Sequence, residues 1–167
     1  LAAILTGLSP CFGRDDPAYQ NAESDVLSKL ALISGHCNVV RMQGAASLAL
    51  EILIRNFLYG RILIVQTGYY SMRLSSMVNS AAIWPGSIVE IDQCSWLEME
   101  NLSGRYDWVL GCSVETSIGL KLPVEGLRLL ADRLNARLAL DATASIGLEV
   151  GHELADVIAY SSCKGLF

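Results

Sequence analysis

The stretch Arg61-Ile62-Leu63-Ile64-Val65-Gln66 decides the fold. Its four central residues are all apolar, and the run is too short for a helix. A strand with one wet face alternates polar and apolar side chains, so an unbroken apolar run marks a strand buried on both faces. Working outward, similar short runs recur at Trp108–Cys112, Arg137–Leu140 and Val157–Tyr160, with a weaker one at Ser87–Ile91. Between them the apolar spacing changes to threes and fours. Ser47–Phe57, Tyr70–Asn79 and Pro123–Leu134 read as helices, the last with proline at its first turn. Ala18–Ile33, with Val26, Leu27, Leu30 and Ile33 on one face, is an earlier helix that Gly35 stops. Asn38–Met42 is expected to be a short strand and Trp96–Leu102 a helical turn. Leu1–Pro17, broken by Gly7, Pro10, Gly13 and Pro17, reads as irregular. Alternating buried strands and helices predict an α/β protein of three layers, α/β/α, around a mostly parallel sheet.

Composition supports that reading and removes others. Of 167 residues, 52% are hydrophobic and 17% charged, which excludes a disordered chain. No run reaches the ~20 apolar residues of a membrane-spanning helix. Ser47–Leu58 carries Glu51, Arg55 and Asn56, and Ala81–Ile91 carries Pro85 and Gly86. A net charge of −5 argues against a nucleic acid or an anionic membrane surface as partner, since either needs a basic face. The five cysteines, Cys11, Cys37, Cys94, Cys112 and Cys163, are irregularly spaced. They fit reduced thiols and a cytoplasmic location better than a disulfide framework or a zinc site, and no metal is expected. The chain begins with leucine and stops at Lys-Gly-Leu-Phe, which reads as a piece of a longer protein.

In a parallel sheet, ligands bind outside the carboxyl ends of the strands, so the residues there matter most. Gln43-Gly44-Ala45-Ala46-Ser47 opens directly into a helix, where small residues and free N–H groups suit an anion. Thr67-Gly68-Tyr69-Tyr70-Ser71-Met72-Arg73 offers aromatics for stacking and an arginine for an anion. Ser113-Val114-Glu115-Thr116-Ser117 is a hydroxyl cluster with one carboxylate. Asp141 ends the Arg137–Leu140 run, and Lys164 follows Val157–Tyr160. A carboxylate can hold a proton on a heteroaromatic nitrogen, and a partly desolvated lysine can act as a nucleophile.

These segments resemble, in order, the motifs of the class V branch of the fold-type-I pyridoxal-phosphate enzymes. Gln43–Ser47 with Glu51 is similar to the family's G-S-G-T-x-x-x-E phosphate loop, although Ala45 and Ala46 replace its serine and glycine. Gly68–Arg73 resembles G-x-[aromatic]-G-x-R, and Glu115–Gly119 matches E-T-S-x-G, followed by Leu122-Pro123-Val124. Leu140–Gly147 resembles V-D-A-x-x-S-x-G. Asp156–Lys164 resembles D-x-x-x-x-S-x-x-K, with the Schiff-base lysine last and Cys163 where glutamine or asparagine is common.

The resemblance implies pyridoxal 5'-phosphate as cofactor, with Lys164 and Asp141 catalytic. Lys164 would carry the cofactor and move a proton at the substrate, while Asp141 would pair with the ring nitrogen. Tyr70 and Thr143 would flank the ring, and Thr116 would bond near its phenolic oxygen. Gly44, Ala45, Ala46, Ser47 and Ser161 would hold the phosphate. It also implies that residues 1–17 are an N-terminal segment and 18–167 part of the cofactor-binding large domain, without the small C-terminal domain. A family member is a homodimer that takes a small amino donor and a 2-oxo acid acceptor. The wording Gly60–Leu74 is most similar to 2-aminoethylphosphonate aminotransferases, which pass the amino group to pyruvate. A serine– or alanine–glyoxylate aminotransferase shares every cofactor motif, and a truncated, non-catalytic α/β fragment is the alternative from another class. A cysteine desulfurase would need histidines where this chain has none, so His36 and His152 read as structural or exposed.

Overall fold

The computed structural model describes Gly13, residues 15–82 and residues 88–166. Most of the expected irregular N-terminal segment, Cys11 and the start of the Ser87–Ile91 run therefore lie outside the described residues. The chain divides into two compact units, Leu1–Val39 and Val40–Phe167. In the first unit, helix α1 (Pro17–Ser34) starts at Asp16, whose carboxylate accepts from the Ala18 N–H at 2.8 Å. It ends at Gly35, which takes the left-handed conformation that favours glycine.

The second unit contains helices α2 (Ala46–Phe57), α3 (Tyr69–Ala82) and α4 (Val124–Arg133). Its strands are β1 (Gly60–Gln66), β2 (Ile88–Ser95), β3 (Trp108–Cys112), β4 (Val114–Glu115), β5 (Leu120–Lys121), β6 (Arg137–Asp141) and β7 (Val157–Ala159). Five of them form a sheet in the order β2-β1-β3-β6-β7. Every pair in that sheet is parallel. Because successive side chains of a strand point to opposite faces, the RILIVQ run feeds two cores. Ile62 and Ile64 pack with Leu50, Leu53 and Ile54 of α2 and Leu74 and Val78 of α3. Leu63 and Val65 pack with Val124, Leu127, Leu130 and Ala131 of α4. The predicted layering of helix, sheet and helix is the observed one.

Four expectations change in detail. Asn38–Met42 forms no strand, and Val40 is 78% exposed. An apolar pair without a neighbouring strand to bond has nothing to hold it extended. The turn at residues 96–102 narrows to a 3-10 turn at Met99–Asn101. Pro123 stands at the N-cap of α4 rather than inside its first turn, and β6 runs one residue further, so that Asp141 is its last residue. The antiparallel hairpin β4–β5 was not anticipated, because two-residue strands carry no periodicity. Among the described residues, no helix is long and apolar enough to cross a membrane. Cys37, Cys94, Cys112 and Cys163 are free thiols.

Candidate active site

Strand order reverses between β1 and β3: the chain leaves β1 for β2 on one side, then returns to lay β3 on the other. Crevices form at such a point, outside the carboxyl ends of the strands. A cavity of about 210 Å³ is lined there by residues from every segment that the sequence singled out. Ala46, Ser47, Tyr70, Thr116, Asp141, Thr143 and Lys164 all face it. Gly44, Ala45 and Ser161 do not line it. Gly44 and Ala45 lead into α2, and the Ser161 hydroxyl is engaged with Cys163, accepting that residue's N–H at 3.3 Å. A larger hollow of about 400 Å³ among Tyr59, Arg105, Asp107 and Arg137 contains none of these residues.

Helix α2 begins at the cavity wall, and no side chain caps its first turn. Its leading N–H groups, with the Ser47 hydroxyl, are therefore available to an anion. Helix α3 supplies a stripe at helical spacing, Tyr70, Arg73, Leu74 and Met77, all lining the cavity. Tyr70 is fixed from behind. Glu115, fully buried, accepts from the backbone N–H groups of Tyr70 at 3.1 Å and Ser71 at 3.3 Å. It also takes the Ser117 N–H at 3.3 Å, the Ser117 hydroxyl and the Thr67 hydroxyl at 3.3 Å. A carboxylate at a helix N-terminus satisfies orphan donors and meets the positive end of the helix dipole. Burial alone would push this carboxyl up, but its donors hold it below the ordinary range. Gly68 makes the approach possible, since a Cβ there would lie 2.8 Å from the Glu115 side chain. The sequence marks Glu115 only as a lone carboxylate among hydroxyls and assigns it no role.

Asp141 is 5% exposed at the end of β6, and its Oδ1 accepts the Thr143 N–H at 2.9 Å. Burial pushes its carboxyl up; the Thr143 bond and the charge of Arg73 pull against that, while Glu115 adds to the rise. The Thr143 hydroxyl is buried without a hydrogen-bond partner among the described residues. Burial pushes up the thiol of Cys112, which lies beside Asp141 in the sheet register, and so disfavours its thiolate. Lys164 lies in the turn after β7, and that turn is packed against the one carrying Asp141. A Cβ on Gly165 would lie 2.2 Å from the Ile146 carbonyl oxygen, and Gly147 opposite it has a φ of +75°. Only glycine fits this approach of two backbones, which brings Lys164 and Asp141 to one cavity.

This donor set suits a flat, anionic heteroaromatic group. A buried carboxylate seeks a proton-bearing partner, an aromatic stands at the wall, and an uncapped helix end awaits an anion. An orphaned hydroxyl and a lysine complete the set.

No family model matches the chain, and neither does any curated protein. Solved structures do. An alanine–glyoxylate aminotransferase from Nostoc sp. is 24% identical with a TM-score of 0.75, over 99% of this chain and 47% of that one. Pyridoxamine–pyruvate aminotransferase from Mesorhizobium loti is 19% identical with a TM-score of 0.78, over 97% and 44%. Ureidoglycine–glyoxylate aminotransferase from Bacillus subtilis is 18% identical with a TM-score of 0.73, over 96% and 44%. The fold is the one these aminotransferase structures share over the matched part. The chain spans less than half the length of these structures.

Proposed function

We propose that this chain is the cofactor-binding part of a pyridoxal-phosphate-dependent aminotransferase. The observation that carries the reading is the single cavity in which Ser47, Tyr70, Thr116, Asp141, Thr143 and Lys164 meet, although they come from distant parts of the sequence. When bound, the cofactor supplies an electron sink for a carbanion at the amino donor. The first turn of α2 with Ser47 would bind its phosphate, and Gly44, Ala45 and Ser161 complete the proposed phosphate set. Tyr70 and Thr143 would flank the ring, and Thr116 would donate to its oxygen. Asp141, buried against solvent, would hold a proton on the ring nitrogen. Lys164 would anchor the cofactor and then carry the proton between donor and acceptor carbons.

For substrates, the first reading is transfer from 2-aminoethylphosphonate to pyruvate, supported by the wording of Gly60–Leu74. The second is a serine– or alanine–glyoxylate aminotransferase. It is favoured by the names of two of the similar structures, both glyoxylate aminotransferases. The exposed free thiols Cys37 and Cys163 support a reducing, cytoplasmic setting. Exposed Tyr69, Met72 and Ile118 on the segments that carry Tyr70 and Thr116 support a homodimer.

Adding pyridoxal phosphate, recording the visible spectrum and fixing with borohydride tests the assignment. The label is expected on Lys164 and is lost in Lys164→Ala. Label on Lys29 or Lys121 instead would overturn the site, and no label at all would support the non-catalytic fragment. Half-reactions with aminoethylphosphonate, serine and alanine separate the two substrate readings. Conversion by serine or alanine alone would sink the first.

A further inference from the structure

A second set of polar side chains lies outside the cavity wall and is closed to solvent. Ser113 follows β3, Ser145 sits in the turn after β6, and His152 opens the 3-10 turn His152–Leu154; they are 3%, 0% and 1% exposed. Ser113 Oγ donates to Ser145 Oγ at 2.8 Å, and Ser145 Oγ lies 2.8 Å from His152 Nε2. A hydroxyl this close to an imidazole has the geometry of a nucleophile and its base. Here none of the three residues lines the cavity, and Ser145 has no exposed surface for a substrate to reach. His152, which the sequence marks as structural or exposed, is buried, and its ring meets the Ser145 hydroxyl.

Proton counting gives the chain a direction. Ser113 uses its hydroxyl proton on Ser145, and in the imidazole tautomer protonated on Nδ1 the Ser145 proton goes to His152 Nε2. What these bonds hold is the turn carrying Asp141 and Thr143. The Ser145 N–H donates to the Ala142 carbonyl at 3.2 Å, and the Leu148 and Glu149 N–H groups donate to the Ser145 carbonyl at 3.0 and 2.9 Å. Its side chain then ties this turn to the end of β3, where the Ser113 N–H donates to the Asp141 carbonyl at 3.4 Å. The Ser113 carbonyl in turn accepts the Leu122 N–H at 2.8 Å.

We infer that Ser113, Ser145 and His152 form a buried latch that fixes the Asp141–Thr143 turn in the orientation the cavity requires. They are positioning residues: they touch no ligand and act through the backbone that carries Asp141. A fully satisfied buried network rigidifies its surroundings, and losing one member leaves the others unpaired. The functional consequence rests on the proposed cofactor site, whereas the latch itself does not.

The test separates the two. The Thr143 amide reports directly on its bond to Asp141, so its hydrogen exchange is followed by NMR in the cofactor-free chain, with the Ile64 amide of β1 as reference. Ser145→Ala and His152→Leu are expected to speed Thr143 exchange by about tenfold or more relative to Ile64. Ser113→Ala, which removes only the outer bond, should act in the same direction and less strongly. His152→Gln can still bond Ser145 and should restore slow exchange. With pyridoxal phosphate added, Ser145→Ala should need a higher concentration for half-saturation while Lys164 remains the residue fixed by borohydride. The latch is overturned if Thr143 and Ile64 accelerate in step, or if His152→Gln behaves like His152→Leu. A wild-type chain that takes up no cofactor, with Thr143 responding as described, would defeat the proposed function and leave the latch standing.

Discussion

Asp141 and Glu115 are both buried, and their surroundings push them in opposite directions. Glu115 meets several donors and is held low, so it contributes stability above its ordinary 4.5, which is lost as pH falls through its lowered value. Glu115→Gln places an amide against donors that need an acceptor. It should cost about 1–3 kcal/mol near neutral pH, by denaturant melts, with the penalty shrinking on acidification. Asp141 is the reverse case. Its carboxyl is raised above the ordinary 3.8, mainly by burial. It therefore binds a proton more readily folded than unfolded, and stability falls as pH rises through that window. Asp141→Asn in the cofactor-free chain should raise the melting temperature at pH 7. Each ~1 kcal/mol gained moves it by about 2–4 °C in a domain of this size. Near pH 3 the gain should vanish, and the same variant should lose the stabilisation that pyridoxal phosphate gives the wild type. Equal melting temperatures for Asp141→Asn and wild type at pH 7 would show that Asp141 is not held charged at a cost.

At the scale of elements, legibility depended on how local each signal was. The RILIVQ strand announced itself because burial on both faces leaves no polar residue to interrupt it. Helix α3 was legible as a helix, and its stripe of Tyr70, Arg73, Leu74 and Met77 follows from its period. The β4–β5 hairpin and the absence of a strand at residues 38–42 depend on pairing partners, which no local pattern encodes. Likewise Tyr70 could be named from the sequence, but not the Glu115 carboxylate that caps its helix from forty-five residues away. The Ser113–Ser145–His152 chain was hidden for the same reason, since hydroxyls in turns are common and their convergence is tertiary. The start of α2 allows a prediction with two opposed signs. Ser47→Asp puts a carboxylate in the first helical turn, where the dipole favours it by roughly 0.3–1 kcal/mol. The cofactor-free chain should thus melt no lower than wild type, while pyridoxal phosphate binding falls sharply through repulsion of its phosphate. A variant that binds the cofactor normally would place the phosphate elsewhere.

Across the whole second unit, the cavity is a product of sheet order rather than of any one segment. Its walls come from α2, α3, the β4–β5 region, the end of β6 and the turn after β7. Strands β1, β3 and β6 carry those segments to one edge, and both faces of the same sheet form the cores. Asp141 ends β6 and Lys164 follows the edge strand β7, and this parallel pair is itself built onto β3, so their alignment depends on the sheet that supports it. Cofactor binding should therefore be linked to the whole unit. At a hundred times its dissociation constant, a ligand specific to the folded state adds about 2.7 kcal/mol. In a urea titration with pyridoxal phosphate bound, loss of the visible band and loss of the far-ultraviolet circular dichroism should share one midpoint. That midpoint should rise with cofactor concentration. Release of the cofactor well before the sheet melts would mean that the turns at the strand ends open independently, and that the sheet does not set the stability of the site.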